Sequence, residues 1–285
     1  MMRVQAGFLS STAVCGRSAS LKPSVCRASG SVFQTQRSYR RANLVRANLK
    51  TIDEGEQGTL EYRLAFQQDS KKVSPWHDVP LYANDEKTLV NYVNEIPKGT
   101  SAKMEIATEE ANNPIKQDVK KGALRFYKYS DSLINYGALP QTWEDPNEKN
   151  EDTGCNGDND PVDVIEISAD AKPMGAVYAV KPFGILALLD EGETDWKVLA
   201  IDAADPNAEK INSVEDANEI YPGLVDKVTD WFRMYKTAEG KGENEYAFGG
   251  KAKDTAFTMR IIAETHDSYN KLKAGAIPNE DLSLN

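Results

Sequence analysis

Three aspartates lie close together in the segment Asp158-Asn159-Asp160-Pro161-Val162-Asp163. Asp158 and Asp160 are two positions apart, so in extended backbone their side chains point to the same side. Asp163 would point to the opposite side of a plain strand. Pro161 fixes its own φ and has no N–H to donate, which favours a bend in the chain. Such a bend could turn the Asp163 carboxylate to the same side as the other two. The spacing therefore predicts a pocket of three acids that could hold a metal ion.

A second acidic cluster is predicted at a hairpin. An apolar run ends at Leu189, Asp190 follows it, and Asp195 opens the next strand-like stretch. The residues between them, Glu191-Gly192-Glu193-Thr194, would make a turn of ordinary length for a hairpin. Such a turn predicts Asp190 directly across from Asp195.

Lysines alternate with these acids. Lys197 lies two positions after Asp195, and Lys103 lies two positions before Glu105, so each lysine shares a strand face with its acid. Closely packed carboxylates disfavour ionisation unless positive charge lies between them. Divalent cations supply that charge, and they can activate a water and neutralise phosphate oxygens while Lys and Arg hold the remaining phosphate charge. The pattern indicates a site for a phosphate compound bound through metals.

The metal would be a hard one. Cys155 is the one cysteine after residue 50, and His77 and His266 are the two histidines of the chain, so the sequence offers no set of soft ligands for zinc. Carboxylate oxygens suit magnesium, with manganese as a substitute. The acids are also spaced like a calcium loop, but Pro161 and the missing turn glycine argue against an EF-hand.

Charge divides the chain into two parts. Residues 1–50 contain nine Lys and Arg and no acid, with Ser recurring, a profile typical of organellar transit peptides. Without those nine charges, the net charge of −10 becomes −19 for residues 51–285. We therefore expect a transit peptide over residues 1–50 and a single domain over residues 51–285. The Ser-rich opening and Val45-Arg46-Ala47 favour the chloroplast stroma, with the mitochondrial matrix as the alternative. A basic arm that binds nucleic acid is the other interpretation, but the dense Lys/Arg blocks of such arms are absent.

Strand-like alternation dominates the chain between residues 60 and 200. The alternating apolar residues are Leu60, Tyr62, Leu64 and Phe66, then Ala102, Met104 and Ile106, then Phe183, Ile185, Ala187 and Leu189, and finally Trp196, Val198 and Ala200. The longest apolar run, residues 183–189, is far shorter than the roughly 20 residues of a membrane helix. No membrane span is predicted.

The end of the chain has helical spacing. A first helix would follow Pro222, which suits a first turn, and its apolar residues are Leu224, Val228, Trp231 and Tyr235. A second helix would run from about Asp254 to near Gly275, and its buried residues are Phe257, Ile261 and Ile262. Many strands followed by helices predict a mainly β protein, with a closed or nearly closed antiparallel sheet and flanking helices packed outside it.

The chain resembles the family I soluble inorganic pyrophosphatases. The segment from Asp158 to Val164 is similar to the family signature, and further blocks are similar to its eukaryotic type. These blocks are Pro75-Trp76-His77-Asp78-Val79-Pro80-Leu81-Tyr82, Asn135-Tyr136-Gly137-Ala138, Gln141-Thr142-Trp143-Glu144-Asp145-Pro146 and Leu188-Leu189-Asp190-Glu191-Gly192-Glu193-Thr194-Asp195-Trp196-Lys197. The resemblance covers about residues 59–273. Together with the basic N-terminal segment, it indicates an organellar form, first of all a chloroplast one.

This resemblance implies a closed five-stranded barrel of the OB type with flanking helices. It also implies hydrolysis of pyrophosphate to two orthophosphates at a site with several Mg²⁺ ions, which removes the pyrophosphate made by biosynthesis. Asp160 would be the general base, oriented toward a metal-bridging water. The implied metal ligands are Asp158, Asp163, Asp195, Asp190, Glu105 and Glu95. The implied phosphate contacts are Lys103, Arg125, Tyr136, Lys197, Tyr235 and Lys236, of which Lys103, Tyr136 and Lys236 count as catalytic together with Asp160.

The chain departs from the family pattern between Arg125 and Tyr136. Fungal and animal members have four more residues there and carry a Tyr where this chain has Ser132, so no acid or donor role of that Tyr transfers. Lys98-Gly99 also stands where those dimers present Arg-Trp. The two differences favour a monomer over a homodimer.

Three rival functions fit parts of the pattern. OB-type barrels often bind nucleic acid, but the acidic balance and the absence of a basic, aromatic-rich groove argue against that partner. A structural calcium module would bind Ca²⁺ without turnover. A nucleotide hydrolase would need a glycine-rich phosphate loop followed by Lys-Ser or Lys-Thr, and Gly249-Gly250-Lys251 is not one.

Overall fold

The computed structural model of the chain describes residues 48–279 and 281–285. The predicted transit peptide over residues 1–50 lies outside these residues, except for its last three positions. Residues 49 and 50 belong to the first strand, β1, which spans Leu49–Glu54.

Five strands form a closed ring at the centre of the fold. They are β4 (Val90–Ile96), β9 (Asn135–Ala138), β10 (Asp163–Glu166), β11 (Val177–Asp190) and β12 (Glu193–Asp202). Hydrogen-bonded pairing runs in the order β12-β10-β9-β4-β11, and β11 then pairs with β12 to close the ring. The predicted mainly β, five-stranded barrel is confirmed. One pairing differs from the prediction of an antiparallel sheet, because β10 and β12 run parallel.

A second sheet and two short pairings lie beside the barrel. The sheet has the order β1-β2-β6-β5, and β3 pairs with the end of β2. Strand β13 pairs with β11, and β7 pairs with β8. These strands are β2 (Arg63–Gln68), β3 (Lys71–Val73), β5 (Met104–Ile106), β6 (Ile115–Gln117), β7 (Val119–Lys120), β8 (Ala123–Leu124) and β13 (Glu245–Tyr246).

The predicted alternation is correct in β5, but it is wrong for β11 and β12, whose residues 182–188 and 194–202 are buried on both faces because these strands lie in the barrel under its covering elements. Leu64 and Phe66 in β2, and Met104 and Ile106 in β5, are buried in the core. Leu60 is not part of that alternation, since it lies in a turn before β2 and is 46% exposed. The prediction was wrong for this residue because turn hydrogen bonds between residues 56 and 62, not a ladder, organise the chain there.

The hairpin between β11 and β12 is tighter than predicted. Asp190 pairs with Glu193, and Asp195 pairs with Leu188, so the predicted opposition of Asp190 and Asp195 is wrong. The turn is the two residues Glu191 and Gly192, with φ values of 52° and 95°. Positive φ at both central positions is typical of a two-residue hairpin turn, because the backbone twist of such a turn matches the twist of the two paired strands. Asp190 and Asp195 still share one face of the hairpin, because their registers differ by two residues.

Among the residues that the structure describes, three α-helices and two short 3₁₀-helices cover the barrel. The helices are α1 (Val214–Ile220), α2 (Leu224–Met234) and α3 (Thr255–Lys273), and the 3₁₀-helices are Tyr235–Glu239 and Ala247–Gly250. Helix α2 begins after Gly223, which is the N-cap with a φ of 73°, so Pro222 lies outside the first turn where the sequence predicted it. Helix α3 is capped by Asp254, whose side chain accepts from the N–H of Phe257, and it ends before Gly275 as predicted. None of the helices within the described ranges is long and apolar enough to cross a bilayer.

The C-terminal residues 281–285 lie on the loop between β5 and β6. Ser283 donates its N–H to the carbonyl of Thr108 at 2.8 Å, and the N–H of Asn112 donates to the carbonyl of Asn285 at 3.0 Å. The carbonyl of Ser283 also lies 3.0 Å from Nε2 of His77. These contacts join the end of the chain to the loop that follows Lys103 and Glu105.

Candidate active site

A cavity lies among β4, β5, β9, the start of β10, the β11–β12 hairpin and the end of α2. Most of the site residues predicted from the sequence line it. These are Glu95, Lys103, Glu105, Tyr136, Asp158, Asp160, Asp163, Asp190, Asp195, Lys197 and Tyr235. Two predicted residues, Arg125 and Lys236, do not line the cavity but pair with acids next to it. The fold therefore brings together residues that are spread over 142 positions, from Glu95 to Lys236.

Local hydrogen bonds shape the segment that presents the three aspartates. The N–H of Asp160 donates to the carboxylate of Asp158 at 3.1 Å, and Asn159 has a left-handed φ of 72°. Strand β10 starts only at Asp163, after Pro161. The segment is thus a turn followed by a strand, and Asp158, Asp160 and Asp163 all face the same cavity.

Three carboxylates could share a metal ion at one end of the cavity. Glu144, Asp158 and Asp195 each offer an oxygen, and these oxygens all lie within 4.8 Å of one another. Glu144 is buried and was not among the site residues predicted from the sequence. Oxygen donors without Cys or His suit a hard divalent cation.

Lys197 lies between two of the predicted metal ligands. Its ammonium group donates to the carboxylates of both Asp163 and Asp195, and the side chain is only 3% exposed. The parallel pairing of β10 with β12 puts Lys197 directly beside Asp163. Asp163 also accepts a hydrogen bond from the hydroxyl of Tyr136. In this arrangement Asp163 and Asp195 are both paired with Lys197, and Asp195 also converges with Asp158 and Glu144.

A chain of ion pairs starts at Lys103 on the other side of the cavity. Its ammonium group lies 2.7 Å from Glu105 and 3.1 Å from Asp118. Asp118 lies 2.5 Å from Arg125, and Arg125 lies 3.4 Å from Glu239. Asp118 thus holds two of the predicted phosphate-contacting cations side by side, and the sequence prediction did not include it.

The 3₁₀-helix after α2 presents the last two predicted residues. Tyr235 begins this helix and lines the cavity. Lys236 donates to the carboxylate of Asp190 on the β11–β12 hairpin and lies 3.7 Å from Glu191. The hairpin acids and the helix lysine therefore meet although 46 residues separate Asp190 from Lys236.

Burial changes the protonation of these groups. The protein atoms packed around the Asp160 carboxyl, with the Glu105 carboxylate nearby, raise its pKa, although the residue is exposed at the cavity. Loss of solvent also raises the pKa of Asp195 to about 7, although Lys197 acts against the rise. The pKa values of Asp158 and Glu144 rise well above their usual range for the same reason, with repulsion from neighbouring carboxylates added. A bound cation favours the charged form of such groups, so these carboxylates could hold metal ions.

Glu95 has a different setting from the other acids. It is 4% exposed, and its carboxylate accepts a hydrogen bond from the N–H of Ile106 at 2.7 Å. That bond joins β4 to β5, the strand between Lys103 and Ile106. Glu95 therefore fixes β5, the strand that follows Lys103, at the edge of the cavity.

The chain is similar to known pyrophosphatases along most of its length. A family model described as inorganic pyrophosphatase matches residues 92–270. Soluble inorganic pyrophosphatase 1, chloroplastic, of Chlamydomonas reinhardtii is 54% identical over 233 residues, covering 81% of this chain and 82% of that protein. The inorganic pyrophosphatase of Candida glabrata is 49% identical over 235 residues, covering 81% of this chain and 82% of that protein.

Solved structures agree with these sequence matches. The inorganic pyrophosphatase of Schistosoma japonicum has a TM-score of 0.79 at 43% identity and covers 82% of this chain and 84% of that one. The N-terminally truncated vacuolar soluble pyrophosphatase of Trypanosoma cruzi, solved in complex with PPi, has a TM-score of 0.77 at 43% identity and covers 79% of this chain and 91% of that one. The chain belongs to the inorganic pyrophosphatase family.

Proposed function

We propose that this chain hydrolyses inorganic pyrophosphate to two orthophosphates at the carboxylate-lined cavity. As a member of its family the chain is a hydrolase, and removal of pyrophosphate lets the biosynthetic steps that release it run forward. The single observation that carries the site assignment is the meeting of Glu144, Asp158 and Asp195 oxygens within 4.8 Å. Asp158 and Asp195 line the cavity together with Lys103 and Lys197, and Glu144 approaches them from outside the lining. Metal ligands and phosphate-binding cations thus share one pocket.

Magnesium is the proposed metal, bound as several ions, with manganese as a substitute. Asp158, Asp163, Asp195, Asp190, Glu105 and Glu95 are the proposed ligands, and Glu144 joins them because its carboxylate converges on Asp158 and Asp195. When bound, such ions supply Lewis-acid chemistry, which activates water and neutralises charge on phosphate oxygens. A polyanionic substrate can then enter a pocket lined with carboxylates.

The protein groups have separate tasks in this proposal. Asp160 takes a proton from the attacking water, since its carboxyl lines the cavity next to the proposed ligands Asp158 and Asp163. Cations and phenols fix the two phosphate groups in line for attack, as phosphoryl transfer depends on positioning and on stabilising charge at the oxygens. These phosphate-binding groups are Lys103, Arg125, Tyr136, Lys197, Tyr235 and Lys236.

Orthophosphate release from pyrophosphate in the presence of Mg²⁺ tests the function. The full chain, Asp160→Asn and Asp85→Asn are compared, the last being an exposed aspartate that does not line the cavity. Loss of a general base lowers the rate by about 10²- to 10⁴-fold, so we expect a loss in that range for Asp160→Asn and none for Asp85→Asn. Equal rates for the wild type and Asp160→Asn would refute the base assignment, and an inactive wild type would refute the function.

A plastid location is part of the proposal. The support is the acid-free, Arg- and Ser-rich composition of residues 1–50 and the similarity to a chloroplastic protein of Chlamydomonas reinhardtii. Processing near Val45-Arg46-Ala47 would leave strand β1 complete, because that strand begins at Leu49. A fluorescent reporter fused to residues 1–50 should enter the chloroplast stroma, and its import into mitochondria would favour the alternative.

We also propose that the protein acts as a monomer. The support is the shortened segment before Tyr136 and the presence of Lys98-Gly99 instead of Arg-Trp. Lys98 folds back on its own chain, where its ammonium group donates to the carbonyl of Ala169 at 3.0 Å. Light scattering on the purified protein should give the mass of a single chain, and twice that mass would overturn this part of the proposal.

A further inference from the structure

Tyr127 is a cavity-lining phenol that the sequence did not single out. It lies two residues after Arg125, and its N–H donates to the carbonyl of Ser101 at 2.7 Å. The ring packs edge-on against Trp231, with the ring centres 4.8 Å apart, and against Tyr235 at 5.9 Å. The backbone bond and the two aromatic contacts fix the direction in which this side chain points.

The hydroxyl of Tyr127 has no protein partner in the described part of the chain. The residue is 8% exposed, yet no hydrogen bond joins this hydroxyl to another side chain or to the backbone within residues 48–279 and 281–285. Two other buried phenols have protein partners, since Tyr136 is bonded to Asp163 and Tyr92 to Asn94. The Tyr127 hydroxyl is not among the buried polar atoms that lack a partner in the described residues, so it is open to the cavity that the residue lines, where the oxygen of a ligand could accept its hydrogen.

Charged groups of the site surround the Tyr127 phenol. Burial raises the pKa of this phenol, and Lys103 and Lys197 lie near enough to act against the rise, while Asp163 lies near enough to add to it. All three line the same cavity as Tyr127. A phosphate group held by those lysines would lie beside this hydroxyl.

Ser132, at the shortened segment between Arg125 and Tyr136, does not offer a donor to the cavity. Its hydroxyl donates to the carbonyl of Ile134 at 2.7 Å, and the residue is buried away from the cavity lining. The free phenol of Tyr127 is therefore the hydroxyl that this segment presents to the site.

We propose that Tyr127 contacts the substrate and donates a hydrogen bond from its hydroxyl to a phosphate oxygen of bound pyrophosphate. The inference rests on the proposed function, since it needs a phosphate group in the cavity. A phenol supplies a donor without adding charge, so it can stabilise negative charge on a phosphate oxygen without competing with the metals for the carboxylates. Tyr127 thereby adds a third phenol to the proposed phosphate-binding set, beside Tyr136 and Tyr235.

The test compares the full-length wild type with Tyr127→Phe and with Tyr129→Phe. Tyr127→Phe keeps the ring that packs on Trp231 and removes only the hydroxyl, whereas Tyr129 is 46% exposed and serves as the matched control. A hydrogen bond to a charged group corresponds to a loss of about ten- to a hundredfold in kcat/KM for Mg-pyrophosphate, which we expect for Tyr127→Phe alone. The midpoint of thermal unfolding should stay unchanged, because the hydroxyl has no partner in the protein.

Two results would overturn the inference. One is a kcat/KM of Tyr127→Phe within about twofold of the wild type, which is less than one such hydrogen bond is worth. The other is a loss of activity that comes with a lower unfolding midpoint, which would make Tyr127 a packing residue. A wild type that does not hydrolyse pyrophosphate would instead overturn the proposed function, so the two failures are distinguishable.

Discussion

The carboxylate of Glu144 accepts a hydrogen bond from the backbone N–H of Trp196, at 3.1 Å from one oxygen and 3.3 Å from the other. Trp196 lies between Asp195 and Lys197, just before the part of β12 that pairs with β10. The backbone of Glu144 is bonded as well, since its N–H donates to Asp160 and its carbonyl accepts from Asn159, both at 3.0 Å. One residue thus joins the two segments that supply the converging metal ligands.

Two substitutions of Glu144 separate its hydrogen bond to Trp196 from its negative charge near Asp158 and Asp195. Glu144→Ala leaves the buried N–H of Trp196 without an acceptor, and we expect the free energy of unfolding to fall by about 1–3 kcal/mol. Glu144→Gln keeps an acceptor oxygen and removes a charge next to Asp158 and Asp195, so its stability in EDTA should equal or exceed that of the wild type. Its activity should need more Mg²⁺. Urea unfolding and Mg²⁺ titration of activity measure the two effects.

Glu148 provides the matched control for this pair of variants. It is exposed and lies four residues further along the same loop. Glu148→Ala should change the free energy of unfolding by no more than about 0.5 kcal/mol, the usual range for surface substitutions. Its activity should need the same Mg²⁺ concentration as that of the wild type. Equal stability of Glu144→Ala and Glu144→Gln would contradict the role of the Trp196 hydrogen bond.

Metal binding should be measurable as stability, independently of turnover. A ligand that binds only the folded state adds about 2.7 kcal/mol to the free energy of unfolding at a concentration of 100 Kd. Mg²⁺ should therefore raise the unfolding midpoint of the wild type, and EDTA should reverse the rise. The rise should be much smaller for Asp195→Asn, because Asp195 is one of the three acids whose oxygens converge. Asp85→Asn should respond as the wild type does, and an undiminished rise in Asp195→Asn would argue against this metal site.

The sequence predicted much of the site because several contacts follow from strand periodicity. Lys103 shares a face with Glu105, and Lys197 shares one with Asp195, and both pairs form ion pairs in the structure. The hairpin register could not be predicted in the same way. The turn depends on a positive φ at Glu191, and glutamate is not a residue type that indicates this conformation. The predicted turn was therefore two residues too long.

Glu144 was missed for a different reason. It lies 14 residues before Asp158 and 51 before Asp195, and no periodicity connects the three positions. Their meeting depends on tertiary contacts, such as the backbone bonds of Glu144 to Asn159 and Asp160. Helix α1 was missed because it is short and has a single buried residue, Ala217, so it shows no apolar stripe. Its N-cap at Ser213, bonded to the N–H of Asp216 at 3.1 Å, was the one local signal.

His77 should make the stability depend on pH. Its Nδ1 lies 2.9 Å from the hydroxyl of Tyr269, and its Nε2 lies 3.0 Å from the carbonyl of Ser283, so the neutral ring donates from Nε2 and accepts at Nδ1. Burial lowers the pKa of His77 from 6.5 to about 4. Between these values the unfolded chain binds a proton that the folded chain does not. The free energy of unfolding should therefore fall as the pH drops from 6.5 toward 4, by up to about 3 kcal/mol from this residue.

The contribution of His77 is isolated by a difference measurement. His77→Gln carries a donor and an acceptor but does not titrate, and it shares every carboxylate with the wild type. The wild type should lose more stability than His77→Gln between pH 6.5 and 4, in urea unfolding at a series of pH values. Parallel pH profiles for the two proteins would show that His77 does not titrate in this way.

Gly157 should tolerate no side chain, because the backbone of the Glu144 segment passes directly over it. A Cβ at Gly157 would lie 2.5 Å from the carbonyl oxygen of Glu144 and 2.8 Å from the N of Asp145, both backbone atoms. The N–H of Gly157 also donates to the carbonyl of Asp145 at 3.0 Å. Gly157→Ala must therefore push the two segments apart, and overpacking of this kind costs about 1–3 kcal/mol of stability. Since Glu144 and Asp158 lie on the two segments, activity at limiting Mg²⁺ should fall as well.

The control for Gly157→Ala is Gly242→Ala. A Cβ at Gly242 meets no atom within 4 Å, and its φ is not in the positive region. A substitution of this kind reduces the freedom of the unfolded chain and is neutral or stabilising by about 0.4–1 kcal/mol. Urea unfolding and hydrolysis at limiting Mg²⁺ compare the two variants. If Gly157→Ala retained both stability and activity, the close approach of the two segments would not be what fixes Asp158 against Glu144.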